Sequence, residues 1–141
     1  MVEAQNWNAV IEGQEFILTE EMDSQRLVVW AAASGDFYQI HYDDDFAKGN
    51  NLPDIIVHGA LKGMLVGRLL DEICGTEGRI KNWGVSYRGM DPARHDLTIH
   101  ATVTKKYEED GEKLLDLEVG VKQDDGSTET TPGTATVALP A

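Results

Sequence analysis

The stretch GALKGMLVGRLLDEIC, residues 59–74, decides the fold of this chain. Large apolar side chains stand at every fourth position: Leu61, Leu65, Leu69 and Ile73. Because an α-helix turns once in about 3.6 residues, this spacing gathers them on one face and predicts a long helix from Gly59 to Cys74. Glycines also recur at every fourth position, at Gly59, Gly63 and Gly67, and form a glycine strip. Each costs a helix about 1 kcal/mol relative to alanine, so a sheet or a bound ligand must approach this backbone closely.

The chain after Gly75 follows a different pattern, in which apolar and polar residues alternate as in strands with one buried face. The alternating segments are residues 82–87, 97–103, 115–121 and 135–139. Asp110-Gly111 and Asp125-Gly126 are pairs typical of hairpin turns. The pattern predicts an antiparallel meander, and together with the long helix it predicts an α+β fold in which the sheet curls around the helix.

The chain before the long helix supplies a strand, a helix and a loop. Residues 15–19 predict a short strand, and a helix that begins at Asp23 or Ser24 ends at Gly35. A polar loop continues through His41, and the acidic run 43–45 precedes a brief helix over residues 46–48, whose N-terminus it stabilises. A metal site is the alternative for this run, but three consecutive carboxylates do not converge on one ion.

Length, charge and composition limit the class of protein. At 141 residues, the chain predicts a single domain over residues 1–141. The net charge of -13 disfavours nucleic-acid binding, because it repels phosphate backbones. No apolar run reaches the roughly 20 residues of a membrane span, and residues 1–6 lack the features of a secretion signal. With one cysteine, Cys74, the sequence predicts a cytoplasmic protein.

The residues suited to chemistry lie in two short segments. ASGDFYQIH, residues 33–41, places Asp36 and His41 in a loop after a helix end. Histidine ionises near pH 6.5, so it exchanges protons at neutral pH, and a nearby carboxylate can hold water and stabilise the imidazolium. His58 and Gly59 begin the long helix, where free amide groups attract a developing negative oxygen. The pattern predicts Asp36 and His41 as an acid/base pair and the Gly59 amide as an oxyanion donor.

These two segments resemble the signature of a known family. The matching residues are Ser34-Gly35-Asp36-Phe37, Ile40-His41, Asp44, Phe46-Ala47 and Ile56-Val57-His58-Gly59. They are similar to the MaoC-like family, which includes the R-specific enoyl-CoA hydratases and the bacterial 3-hydroxyacyl thioester dehydratases. The resemblance implies a hot-dog fold, catalytic Asp36 and His41, and an oxyanion hole at Gly59. The implied activity is that of a hydro-lyase, which reversibly hydrates 2-enoyl thioesters or dehydrates (R)-3-hydroxyacyl thioesters.

The chain departs from the family pattern at positions that bear on the substrate. Tyr38-Gln39 stands where the family usually has Asn-Pro, and Gly67 stands where some R-specific hydratases carry a serine. We therefore expect a different acyl pocket with more room, suited to a bulky, even steroid-derived, acyl group. Four residues are the expected substrate-binding set: Tyr38, His58, Gly63 and Gly67. A structural role at the helix start is the first interpretation of His58, and substrate contact is the second.

The resemblance also implies partners. The substrate carrier is coenzyme A or acyl carrier protein, with no other cofactor and no metal. The chain is expected to form a homodimer, or a heterodimer with a paralogous hot-dog chain, by joining sheets edge to edge. An anionic carrier needs a local basic surface on this acidic protein, and five residues are available for it: Lys62, Arg68, Lys81, Arg88 and Arg94. Solvent exposure alone is the simpler role for each of them.

Two other functions fit the same fold, an acyl-CoA thioesterase and a non-catalytic partner subunit. Asp36 and His41 argue against the second, since a silent subunit need not keep them. Outside the two segments we expect no chemistry. His100 lies on the polar face of a predicted strand and should be solvated, and Cys74 has no histidine motif nearby that would make it a nucleophile.

Overall fold

The helix predicted from the four-residue spacing is the centre of the fold in the computed structural model, which describes residues 1–123 and 126–141. Helix α3 spans Gly59–Cys74. Two shorter helices precede it, α1 at Ser24–Ser34 and α2 at Asp44–Gly49, with a 3-10 turn between them at Gln39–His41. The strands are β1 (Glu15–Glu21), β2 (Arg79–Val85), β3 (Asp96–Glu109), β4 (Glu112–Gln123) and β5 (Glu129–Ala138). The helices of the described chain are too short or too polar to cross a membrane.

The strands form one antiparallel sheet in the order β1-β3-β4-β5-β2. Helix α3 contacts β2, β3, β4 and β5, so the sheet wraps the helix as the hot-dog fold requires. In the last three predicted strands the alternating apolar residues face this core and are buried: Leu97, Ile99, Ala101, Val103, Leu115, Leu117, Val119, Val121, Ala135, Val137 and Leu139. Burial of these side chains against one another and α3 is the main stabilisation of the fold. In the first predicted strand the expected burial is wrong, since Trp83 and Tyr87 are exposed.

The predicted four-strand meander is wrong in one respect. β3, β4 and β5 follow one another in the sheet, but β2 pairs with β5 at the far edge and not with β3. The strand covers residues 79–85 and not the expected 82–87. Past Val85 the backbone still runs beside β5, because the Ser86 and Arg88 N–H groups donate to the Pro132 and Thr130 carbonyl oxygens. β3 begins only at Asp96.

The predicted turns and caps agree with the structure where it describes them. Asp110 and Gly111 both have positive φ, 50° and 78°, as the tight hairpin between β3 and β4 requires. Asp125 of the second predicted turn lies outside the described residues. Asp23 caps α1 by accepting a hydrogen bond from the Arg26 N–H, and Gly35 ends the helix at φ 78°.

The acidic run before α2 caps this helix. Asp43 accepts a hydrogen bond from the Phe46 N–H, and Asp44 forms an ion pair with Arg94. These contacts agree with the capping interpretation of residues 43–45.

His100 is not solvated as expected. It is buried on β3, and its Nε2 lies 2.7 Å from Glu129 Oε1. The Glu129 side chain reaches it across Gly120 of β4, where any β-carbon would collide with both groups. The missing side chain at Gly120 therefore allows a histidine–carboxylate pair on the sheet face that the alternation predicts to be solvent-exposed.

Candidate active site

The end of α1 places Asp36. The turn at Gly35 leads into Asp36, whose N–H donates to Ser34 Oγ at 3.2 Å. Asp36 Oδ1 accepts the Tyr38 N–H at 3.3 Å, which directs the other carboxylate oxygen away from the loop backbone. About half of the Asp36 side chain, 48%, is exposed. The carboxylate is thus oriented by its own loop and open to a substrate.

His41 is held in one tautomer. It is buried at the end of the 3-10 turn, and its Nδ1 lies 2.7 Å from the carbonyl oxygen of Ile56. A carbonyl oxygen only accepts, so Nδ1 carries the proton and Nε2 keeps a free lone pair. Nε2 lies 3.8 Å from Asp36 Oδ2. That distance is too long for a direct hydrogen bond, but it lets one water molecule contact both atoms.

His58 supports both members of this pair. Its ring stacks on His41, with centroids 3.7 Å apart and planes 17° apart. Its Nε2–H donates to the Asp36 carbonyl oxygen at 3.2 Å. Burial lowers the pKa of His58, with the neighbouring His41 as a smaller cause. His58 is therefore a neutral, fully buried side chain that fixes the loop, as its first interpretation proposed. Contact with a substrate stays a prediction.

Asp36, His41 and His58 also lie close enough together to be considered as metal ligands, with one ligand atom each within 4.8 Å of the others. The stacked rings argue against a shared ion. A ligating nitrogen points its lone pair along the plane of its ring, and the two planes are nearly parallel and offset. An ion bound to one ring would lie out of the plane of the other. The geometry suits proton transfer better than coordination.

Gly59 opens α3 beside these residues. The first N–H groups of a helix have no partner within the helix, and His58 at the N-cap provides no side-chain hydrogen bond to them. A β-carbon at Gly59 would lie 3.4 Å from the Tyr87 ring. That is ordinary van der Waals distance, so the Tyr87 ring packs at the helix start, next to the expected oxyanion donor, and would leave room for a β-carbon there.

The rest of the glycine strip is covered by the sheet side of the fold. A β-carbon at Gly63 would lie 2.5 Å from the Tyr87 hydroxyl oxygen, and one at Gly67 would lie 3.1 Å from the Trp83 ring. Close approach of Tyr87 and of Trp83 on β2 thus accounts for Gly63 and Gly67, and the additional room expected at Gly67 is filled by Trp83. Substrate binding at Gly63 and Gly67 stays a prediction that requires these two rings to move.

Tyr38 flanks the pair from the solvent side. Its ring contacts His41 edge to face, with centroids 6.2 Å apart, and contacts Phe46 in the same manner at 5.9 Å. About half of the side chain is exposed. The tyrosine therefore lies where it can touch a substrate at Asp36 and His41, and its binding role stays a prediction.

The five basic residues considered for the carrier differ in their surroundings. Lys62 is buried and forms an ion pair with Asp91, so its assignment to a docking surface is wrong. Three others pair with surface carboxylates: Arg68, Lys81 and Arg94. Arg88 is exposed and forms no ion pair with the described residues. It follows Tyr87 directly, so it lies near the start of α3.

Sequence reasoning missed three parts of the site. The Ile56 carbonyl that fixes His41 is a backbone group and carries no sequence signal. The alternation predicts Tyr87 as a strand residue, but it lies beyond the end of β2. Lys62 had a signal that was available: it shares a helix face with Val66, Leu69 and Ile73, and all three are buried.

Comparison with known proteins shows a family and a fold. Residues 5–126 match the model of a family described as MaoC like domain. The structure is similar to the (R)-hydratase from A. caviae involved in PHA biosynthesis, with 25% identity, a TM-score of 0.83, and coverage of 94% of this chain and 98% of that one. It is also similar to R-hydratase PhaJ1 from Pseudomonas aeruginosa, with 21% identity, a TM-score of 0.87, and coverage of 99% and 88%.

Two further relatives complete the comparison. A chain of the ChsH1-ChsH2 complex from Mycobacterium tuberculosis is 24% identical, with a TM-score of 0.76 and coverage of 92% of this chain and 98% of that one. The fatty acid synthase beta subunit hexB of Dothistroma septosporum is 29% identical over 136 residues, which are 86% of this chain and 7% of that protein. The chain thus spans only a small part of the length of that relative.

Proposed function

This chain belongs to the MaoC-like domain family, and from that premise we propose that it reversibly hydrates 2-enoyl thioesters to (R)-3-hydroxyacyl thioesters. The family and its relatives support a hydro-lyase that hydrates or dehydrates acyl thioesters. The stereochemistry, the carrier and the roles of individual residues are our proposal. One observation supports it above the others: His41 Nε2 and Asp36 Oδ2 lie 3.8 Å apart, next to the N-terminus of α3.

In the proposed hydration, a water molecule lies between Asp36 Oδ2 and His41 Nε2. The Nε2 lone pair accepts a proton as the water oxygen bonds to the β-carbon of the enoyl group. The Asp36 carboxylate orients the water and stabilises the imidazolium. The electron pair of the double bond moves toward the thioester oxygen, to which the Gly59 N–H donates. The proton that His41 Nε2 accepted is then delivered to the α-carbon. Dehydration follows the same steps in reverse.

The reaction can be followed by the loss of enoyl-thioester absorbance in a panel of trans-2-enoyl-CoAs of increasing acyl size. We expect Asp36→Asn and His41→Ala to lower kcat by about a hundredfold or more. Asp45→Asn and His95→Ala are matched controls on the exposed surface, and they should keep wild-type rates. Near-wild-type activity in either site variant would contradict the assignment. Release of free thiol without loss of the double bond would establish a thioesterase instead.

We propose coenzyme A as the carrier, with no further cofactor, and Arg88 as one contact to its phosphates. Arg88 is the member of the five-residue basic set that is exposed and unpaired among the described residues. Arg88→Ala should raise KM for enoyl-CoA several-fold with little change in kcat, because a carrier contact is made equally in ground and transition states. Lys81→Ala is the control, since its charge is already paired with Glu112. An unchanged KM would rule out this contact.

We propose that the chain assembles through β2, with a second copy or with a paralogous chain. β2 is an edge strand, and five of its seven residues are exposed, including Trp83. An edge with unpaired backbone groups is suited to pairing with another strand. Light scattering after size-exclusion chromatography distinguishes the two partners: a stable dimer of the pure chain indicates a homodimer. A monomer that hydrates substrates only after addition of a paralogue indicates a heterodimer.

The bulky acyl group expected from Tyr38-Gln39 stays a prediction. Tyr87 and Trp83 lie over the glycine strip, but about half of the Tyr87 side chain is exposed, so it has room to swing away. The substrate panel tests the point when it includes one polycyclic acyl-CoA beside the linear series. A higher kcat/KM for the polycyclic substrate would support the expectation, and preference for short linear chains would contradict it.

A further inference from the structure

A buried ion pair joins α3 to the segment between β2 and β3. Lys62, in the first turn of α3, is 2% exposed, and Asp91 is fully buried at 0%. Lys62 Nζ donates to Asp91 Oδ2 at 2.7 Å and to the Gly89 carbonyl oxygen at 2.9 Å. Thr130 Oγ1 on β5 donates to the same Asp91 oxygen at 2.6 Å. The pair thus cross-links three parts of the chain that are distant in sequence.

Stability alone does not explain this arrangement. Loss of hydration offsets most of the attraction between two buried charges, and apolar side chains of similar volume often stabilise a core as well or better. Asp91 Oδ1 is also buried, and it has no hydrogen-bond partner among the described residues. A charged pair that is incompletely satisfied contributes little net stability, but its directional bonds hold the connected backbone in one arrangement.

The backbone that Asp91 holds is the segment 55–57. The Val57 N–H donates to the Asp91 carbonyl oxygen at 2.9 Å, and the Ala93 N–H donates to the Ile55 carbonyl oxygen at 2.8 Å. These two bonds make a short antiparallel bridge between residues 55–57 and 91–93. A shift of Asp91 would therefore move residues 55–57 with it.

The same segment carries the groups that the reaction needs. Ile56, at the centre of the bridge, accepts the Nδ1–H of His41 and so keeps Nε2 free for proton transfer. Gly59 follows three residues later and supplies the oxyanion donor. Lys62 lies one turn further along the same helix, and its Nζ donates a hydrogen bond to the Asp91 carboxylate. These contacts connect the His41 ring through Ile56 and the backbone bridge to Asp91, and Asp91 to Lys62 in the first turn of α3.

We propose that Lys62 and Asp91 are positioning residues, which set the His41 tautomer and the distance between His41 Nε2 and the Gly59 amide. The inference rests on the proposed function for its catalytic consequence. Misplacement of a reacting group by about 1 Å can lower a rate by about a hundredfold. Loss of the pair should therefore lower kcat much more than it changes KM, since neither side chain is accessible to a carrier.

The test compares variants that avoid an unpaired buried charge. Lys62→Met/Asp91→Leu replaces both partners with apolar side chains of similar size, and Thr130→Val is a milder change that removes one donor to Asp91 and keeps the ion pair. Leu115→Ala, a cavity variant in the buried core of β4, is the control for loss of stability alone. Folding of each is checked by circular dichroism before other measurements.

Two readouts decide the proposal, kcat and KM with an enoyl-CoA, and the ¹⁵N shifts of the His41 ring, which report its tautomer. We expect the double variant to lose about a hundredfold in kcat, to keep KM within about threefold, and to show a mixture of tautomers. Thr130→Val should show a smaller change in the same direction, and Leu115→Ala should show neither. A folded double variant with the wild-type tautomer would overturn the proposal, as would equal changes in Leu115→Ala. If the wild type hydrates no enoyl thioester, the proposed function fails, while the tautomer comparison still decides the positioning role.

Discussion

Replacement of Gly63 by alanine measures how closely Tyr87 covers α3. A β-carbon at Gly63 lies 2.5 Å from the Tyr87 hydroxyl oxygen but 3.6 Å from the Tyr87 Cζ atom. In a Tyr87→Phe background the contact with Cζ and one with Val85 Cγ2 at 3.8 Å remain, both at ordinary van der Waals distance. Alanine should then stabilise the protein by about 1 kcal/mol, its advantage over glycine inside a helix. With the tyrosine present, the hydroxyl must move by about 1 Å to reach normal contact.

The tyrosine can make that movement because 55% of its side chain is exposed. Swinging the ring outward exposes apolar surface whose burial contributes about 1 kcal/mol. That loss offsets the gain in helix propensity, so Gly63→Ala alone should leave the free energy of unfolding nearly unchanged. The difference between the two backgrounds, about 1 kcal/mol, is the coupling between Gly63 and the Tyr87 hydroxyl.

Urea unfolding of the wild type, both single variants and the double variant gives this coupling directly, and melting temperatures should repeat it as a shift of about 3–5 °C. Gly67→Ala is the matched control, because its β-carbon meets Trp83, with no atom of Tyr87 among its nearest neighbours. Its effect should be equal in both backgrounds. If Gly63→Ala also has equal effects, within about 0.5 kcal/mol, Tyr87 does not lie on the glycine strip and the reasoning fails.

Three further measurements address buried ionisable groups. Burial lowers the pKa of His58 below its usual 6.5. Just below that pH, His58 therefore binds a proton in the unfolded chain more readily than in the native chain. The free energy of unfolding should then fall as the pH drops below about 6.5. His58→Gln should flatten that part of the urea-derived stability curve, and an unchanged slope would contradict the assignment. Burial raises the pKa of Cys74 to about 11, so a disulfide reagent at pH 8 should modify the native thiol much more slowly than the thiol in urea; equal rates would show that it is accessible. Lys62→Met should lower the free energy of unfolding by about 3–5 kcal/mol, because it leaves Asp91 buried and unpaired. Glu108→Gln, which breaks an exposed ion pair, should cost less than about 1 kcal/mol, and similar losses in both would contradict the burial argument.

Local features of this sequence predicted the elements that local interactions decide. Asp23 and Gly35 bound α1 as expected, because a capping side chain and a left-handed residue act within one turn. The four-residue spacing of α3 predicted its full length for the same reason. The pairing of β2 with β5 was missed because no turn connects those strands, and their contact depends on how the whole sheet closes around α3.

The same distinction applies within the site. Asp36 and His41 are five residues apart, so a single loop brings them together and the motif alone predicted their association. The position of Lys62 on an apolar helix face indicated burial, but its partner Asp91 is 29 residues away, and nothing in the local pattern pairs them. The expectation that His100 is solvated is wrong because strand alternation separates the two faces of a sheet but does not show which side chains cover the outer face. Here the Glu129 side chain covers His100.

The groups proposed for the reaction and the rings that cover the glycine strip have different surroundings. Hydrogen bonds within the chain hold Asp36 and His41, and the Gly59 amide is part of α3, so the proposed chemistry uses no group from a partner subunit. Tyr87 and Trp83 differ, because both are partly exposed and lie on the glycine strip beside the edge strand β2. A partner that pairs with β2 would meet these rings and limit their movement over α3. Substrate choice should therefore depend on the partner, while the proton-transfer geometry does not.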